Sequence, residues 1–171
     1  MNQSMNQRDM FFKWLYYAGA VLLLVLVQSL VLNRISVWAV HPFLPPVIAG
    51  IMAMLEGPAE GAVFGGIFGL LCDLTMPGVI PCFYTLAFLA AALPAAMIAK
   101  RLLSQGFLCA VLCAALALVI TDLLHTVLLT FPQGVELSAA LSLTGRELAV
   151  TVVLSPLVYL LLRSVHNRIL R

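Results

Sequence analysis

The chain has 171 residues, 63% of them hydrophobic and 9% charged, with a mean hydropathy of +1.10. An ordinary soluble domain of this length needs more charge on its surface, so the chain reads as an integral membrane protein forming one bundle over residues 1–171. The net charge of +2 sits in terminal clusters and is too small to line a nucleic-acid groove, so nucleic acid is excluded as an expected partner and membrane lipid is expected.

Met1 to Lys13 is polar, and the first apolar run, about 14–32, has the length a bilayer requires. Its length, and the lack of a small-x-small site before Arg34, set aside a cleaved signal peptide. Trp14, Tyr16 and Tyr17 fit an interfacial aromatic belt. The connector from Asn33 to Pro46 holds Arg34, Trp38 and prolines 42, 45 and 46, which break any regular helix there. The second apolar run, about 43–55, is too short for a straight isolated crossing. It is therefore expected to cross tilted or broken, shielded by protein.

Glu56 to Glu60 reads as a brief acidic turn. Gly57 to Asp73, GPAEGAVFGGIFGLLCD, follows as a third span over about 58–74. Its glycines at 57, 61, 65 and 69 repeat every fourth residue, and the next step of that stride is Asp73. A helix with this pattern carries a seam without side chains, ending in a carboxylate. Each interior glycine costs about 1 kcal/mol relative to alanine, so the seam predicts close helix packing and not a lipid-facing helix. Pro77-Gly78 predicts a tight turn. The fourth span covers about 82–99, with Pro94 as a candidate kink, and is stopped by Lys100 and Arg101. The fifth covers about 107–131. A polar connector is expected over Pro132 to Ser142, before a sixth span of about 143–162 containing Pro156 and a basic tail from Arg163 to Arg171.

Six spans put both termini on one side. Arg8, Lys13, Lys100, Arg101, Arg163, Arg168 and Arg171 fall on that side against Arg34 and Arg146 on the other, which predicts cytoplasmic termini. The ionisable residues within or bordering apolar runs are Asp73, Asp122, His125, Arg146 and Glu147, and this topology gathers them in the non-cytoplasmic half. The plain reading is a structural cluster of ion pairs and hydrogen bonds, with a proton relay or polar ligand site as alternatives. Cysteines 72, 82, 109 and 113 lack metal or redox spacing and read as core residues. Pairing of Cys72 with Cys82 is left open. No serine or cysteine is spaced to pair with His41, His125 or His166, and neither HExxH nor a nucleotide loop occurs, so no catalytic residue, cofactor or metal is expected. Glu56 and Glu60, one turn apart, read as solvated turn charges before a cation site.

From Pro45-Pro46 through GIFGLLCDLTMPG (Gly66 to Gly78), the sequence resembles the rod shape-determining MreD family. That family has a proline-led short second span, a glycine-spaced third span and a GLxxDL ending, here Gly69 to Leu74, and a turn containing glycine. The chain departs from the family at Val47, where an acidic residue often follows the proline, and at Pro81-Cys82, where a glycine often follows the turn. The resemblance implies a non-enzymatic scaffold of lateral cell-wall growth that binds an MreC-like protein, the peptidoglycan-elongating synthase and transpeptidase, and MreB filaments. It also implies an all-α polytopic bundle of six transmembrane helices, similar to the substrate-binding S component of energy-coupling factor vitamin transporters. Such a component is the alternative reading. Its docking pattern of small residues four apart is absent from the first span, where Leu22, Leu23 and Leu24 follow Ala18, Gly19 and Ala20.

Overall fold

The structure, a computed structural model, describes residues 7–36, 40–75, 80–101, 106–133 and 137–169. Trp38, the Pro77-Gly78 turn and Arg171 lie outside the described residues. Six α-helices follow one another: α1 (Gln7–Leu30), α2 (Pro45–Glu56), α3 (Pro58–Thr75), α4 (Phe83–Arg101), α5 (Phe107–Gln133) and α6 (Leu137–Ile169). A short 3-10 turn, Leu32–Arg34, follows α1, and no β-strand occurs among the described residues. Four helical stretches are long and apolar enough to cross a membrane: Phe12–Arg34, Phe83–Lys100, Phe107–Leu128 and Leu141–Asn167.

Several boundaries differ from those read off hydropathy. Helix α6 starts at Leu137, inside the expected polar connector, and continues through the basic tail to Ile169. Hydropathy marks depth in a bilayer, whereas a helix persists for as long as its backbone ladder can close. The flanking LSAAL and LLLRSV segments are good helix formers. Pro94 and Pro156 lie inside α4 and α6, and both helices run on through them.

The bundle is built around α2. This helix has 12 residues and is therefore about 18 Å long, short of a hydrocarbon core of about 30 Å. Every residue from Pro45 to Leu55 is buried, so α2 has no lipid-facing side. It is packed by α3, α4, α5 and α6. The faces that enclose it are made of small residues. Helix α4 presents Ala87, Ala91, Ala92, Ala95, Ala96 and Ala99, and α5 presents Cys109, Ala110, Cys113, Ala114 and Ala117, all buried. Small faces allow backbones to approach, which in lipid replaces the hydrophobic drive available to soluble bundles. At Gly50 of α2, an added Cβ would lie 2.8 Å from the Cys113 carbonyl oxygen. Large apolar side chains point the other way, as with Leu22 and Leu30 of α1, Leu86 of α4, Leu108 of α5 and Val153 of α6.

The stride of four on α3 divides into two kinds of glycine. Gly61, Gly65 and Gly69 are buried on the inner face. A Cβ at Gly61 would meet Ala53 Cα of α2 at 2.5 Å. At Gly65 it would meet the Phe88 carbonyl oxygen at 3.2 Å, and at Gly69 Thr85 Cα at 2.5 Å, both on α4. Gly57 does not belong to this seam. It lies between α2 and α3 with φ at 91°, and an added Cβ would have nothing within 4 Å. It is a turn glycine, required by a left-handed backbone and not by a neighbour. The helix is also not wholly packed away, because Val63, Ile67, Leu70, Leu71 and Leu74 are exposed on its outer face.

Cys82, immediately before α4, is the residue other than glycine with positive φ, at 62°, among the described residues. Such a conformation costs a side-chain-bearing residue on the order of 1 kcal/mol or more. Cys82→Gly is accordingly expected to raise the thermal midpoint in detergent, corresponding to about 1 kcal/mol, and a lower midpoint would show the conformation to be unstrained. Gly69→Ala should destabilise by about 1–3 kcal/mol through overpacking against α4, whereas Gly145→Ala, which meets nothing within 4 Å, should be neutral or stabilising. Equal midpoints for these two alanine variants would contradict the α3–α4 contact.

Candidate functional site

A short helix enclosed by its neighbours leaves amides and carbonyls at its ends that other parts of the protein must satisfy. At the start of α2, Pro45 and Pro46 remove two orphan donors because proline has no N–H. The preceding amides are met by side chains from distant helices. Leu44 N–H donates to Gln28 Oε1 of α1 at 3.1 Å, and Phe43 N–H donates to Thr151 Oγ1 of α6 at 3.1 Å. Gln28 in turn donates to the Pro42 carbonyl at 2.8 Å and to Asn33 Oδ1 at 2.9 Å, so its amide is used on both sides. Gln28 and Thr151 are both buried.

The end of α2 carries a second polar assembly. Glu56 has only 4% of its side chain exposed and pairs with Lys13, while Lys13 Nζ also reaches Glu60 Oε2 at 2.8 Å. Tyr17 O–H donates to Glu56, and His166 Nδ1 lies 2.8 Å from the Tyr17 oxygen and 2.9 Å from Glu56 Oε1. Helices α1 and α6 thus grip α2 at both ends. Tyr17 and Gln28 of α1 are about 16 Å apart along the axis, close to the length of α2 itself.

This corrects three expectations. Glu56 is not a solvated turn charge, because α1 and α6 cover it. Tyr17 is fully buried and not part of an interfacial belt, while Tyr16 on the opposite face is exposed. His166 does not lie in a tail beyond the last helix, because α6 runs on to Ile169 and carries it into the network.

Glu56 lies beyond the buried apolar stretch of α2. Burial alone would raise its carboxyl, but hydrogen bonds from His166, Lys13 and Tyr17 outweigh burial and hold it below the ordinary 4.5, at about 2. A depressed carboxyl stabilises the fold fully above its unfolded value and loses that contribution as pH falls towards the folded one. The thermal midpoint of the wild type should therefore fall between about pH 5 and pH 2 by more than that of Glu56→Gln. Parallel curves for the two proteins would show that the ionised carboxylate does not hold this end of α2.

At the opposite end, the expected cluster of Asp73, Asp122, His125, Arg146 and Glu147 separates. Asp73 belongs to the α3–α4 turn. Its Oδ1 accepts from Tyr84 N–H at 2.9 Å, and its Oδ2 accepts from Thr85 N–H at 2.9 Å and Thr85 Oγ1 at 2.6 Å. Cys82, at the head of α4, has no side chain suited to capping, so the carboxylate of α3 satisfies these first-turn amides instead. A negative charge at a helix N-terminus is also favoured by the helix dipole. Arg146 is exposed and forms no ion pair among the described residues.

Asp122 and His125 of α5 and Glu147 of α6 do meet. They line a half-open cavity of about 380 Å³ together with Gln28, His41, Phe43 and Thr144. A smaller recess of about 110 Å³ is bounded by the same three residues with Phe43, Phe83 and Tyr84. The Asp122 Oδ2 atom is buried without a hydrogen-bond partner among the described residues. No group of three or more His, Cys, Asp or Glu side chains there could hold a metal ion. Cys72 and Cys82 are both free thiols, the first buried and the second exposed. A separate groove of about 690 Å³ runs between α1 and α6, lined by apolar side chains including Leu23, Val27, Val153 and Leu157.

No family model matches the chain, and neither a curated protein nor a solved structure does. Sequence reasoning missed Gln28, Thr151, Glu56, Tyr17, Lys13 and His166 as a set. A signal existed in Gln28, a carboxamide in the middle of an apolar run, which in lipid demands a partner.

Proposed function

We propose that the chain is a non-enzymatic membrane scaffold of MreD type. In this reading all six helices cross the bacterial cytoplasmic membrane, with both termini cytoplasmic. The chain acts by holding an MreC-like protein, and through it the peptidoglycan-elongating synthase and transpeptidase, beside MreB filaments. The orientation rests on the excess of basic residues near the termini. The six crossings rest on four long apolar helices, together with α3, about 27 Å long, and α2 enclosed within the bundle.

The observation that carries the reading is the use made of the signature stretch. Pro45-Pro46 open the buried helix, Gly65 and Gly69 bring α3 onto α4, and Asp73 holds the first turn of α4. Pro45, Pro46, Gly69 and Asp73 of that stretch thus serve the assembly of the bundle, while Leu70 and Leu74 face outwards. Apolar side chains exposed on α1, α3, α4, α5 and α6 offer faces for lipid and for partner spans.

The test is affinity purification of the tagged full-length chain from native membranes. Wall-elongation proteins should accompany it, and Gly65→Leu, which would wedge α3 from α4, should reduce their recovery at least tenfold. Recovery of an ATP-driven transport module in their place would overturn the scaffold reading in favour of the transporter S component. Undiminished recovery with correctly inserted Gly65→Leu would show that partner binding does not depend on the α3–α4 contact.

A further inference from the structure

We propose that the cavity at the end of the bundle remote from the termini binds a small organic cation, an ammonium group carrying an apolar or aromatic portion, with Asp122 and Glu147 as its carboxylate partners. The inference does not depend on the scaffold reading.

Four elements converge on this place: the segment entering α2 supplies Phe43, α4 supplies Phe83 and Tyr84, α5 supplies Asp122 and His125, and α6 supplies Glu147. Asp122 is only 8% exposed, and its Oδ2 has no donor among the described residues, whereas Gln28, Thr151 and Asp73 each accept a backbone N–H. An orphaned carboxylate oxygen inside an apolar bundle is unfavourable unless something donates to it. Within the cavity no lysine or arginine does so. The titratable groups lining it are Asp122, Glu147, His41, His125 and Tyr84, and Arg146, one position before Glu147, is exposed.

The shape and chemistry select among cations. About 380 Å³ with a further recess of about 110 Å³ exceeds what one dehydrated ion fills, and the donor set does not fit a metal. Phe43 and Tyr84 lie with ring centroids 5.8 Å apart, and Phe83 and Tyr84 lie 5.2 Å apart. Together they present an aromatic wall beside the two carboxylates. Ring faces attract ammonium groups through their quadrupole, and the ammonium N–H groups would supply the donors that Asp122 lacks. A free amine and an amine-bearing lipid headgroup share this chemistry.

The experiment uses the full-length chain in dodecyl maltoside and in nanodiscs, titrated by calorimetry with phenethylamine and with its neutral counterpart 2-phenylethanol. Phenethylamine should bind at least tenfold more tightly than the alcohol, and Asp122→Asn should weaken it at least tenfold. Glu147→Gln, the second variant, should also weaken it and carries the comparison if Asp122→Asn does not insert. Nanodiscs of phosphatidylethanolamine are compared with phosphatidylglycerol alone. A lower apparent affinity for phenethylamine in the former would assign the natural cation to the lipid headgroup, and an unchanged affinity would assign it to a free amine. Equal binding of amine and alcohol, or amine binding unaffected by both variants, would overturn the proposal. So would the absence of amine binding in detergent and in both kinds of nanodisc, which would mean that Asp122 is kept neutral by a proton.

Discussion

A helix of 12 residues enclosed on every side is the constraint on which the structure depends. Its ends are covered by neighbouring helices, so the terminal groups depend on protein partners or are removed. Two prolines remove donors, Gln28 and Thr151 meet the entering amides, and Glu56 at the far end draws Lys13, Tyr17 and His166 around it. Helices α1 and α6 are therefore joined to α2 by paired polar contacts at top and bottom, and not only by the apolar surface between them. That arrangement fits the apolar groove between α1 and α6, where side-chain packing is incomplete although both ends are fastened.

Enclosing α2 also dictates the composition of its neighbours. Helices in lipid gain little from burying leucine against leucine, so association relies on close backbone approach and on matched polar groups. The alanine face of α4, the cysteine and alanine face of α5 and the glycine face of α3 all point inwards, with the large apolar side chains outside. Cys113 contributes a further link, its thiol donating to the Ala95 carbonyl at 3.4 Å. A bundle built in this way is hydrophobic throughout, which is why helix periodicity in its sequence is faint.

Asp73 and Asp122 show how differently two carboxylates in such a bundle can be treated. Asp73 accepts three hydrogen bonds from the start of α4 and stabilises a turn. Asp122 has an oxygen with no donor and faces a cavity bordered by aromatic rings. The first fits the proposed scaffold, and the second lines a half-open cavity.

The sequence by itself determined the membrane class, the all-helical architecture, the approximate position of each apolar run and the spacing of Gly61, Gly65 and Gly69. These follow from composition and local period, which lipid and the backbone read directly. It could also indicate that α2 needs shielding, because length alone rules out an isolated crossing. Only the tertiary structure decided that Gly57 is a turn residue, that Asp73 serves α4, that Glu56 is buried and that Arg146 stands apart from Asp122 and Glu147. Lys13, Glu56 and His166 lie far apart along the chain, so no local pattern joins them. They meet because a short helix with unsatisfied ends draws polar side chains from whichever neighbours the packing brings within reach.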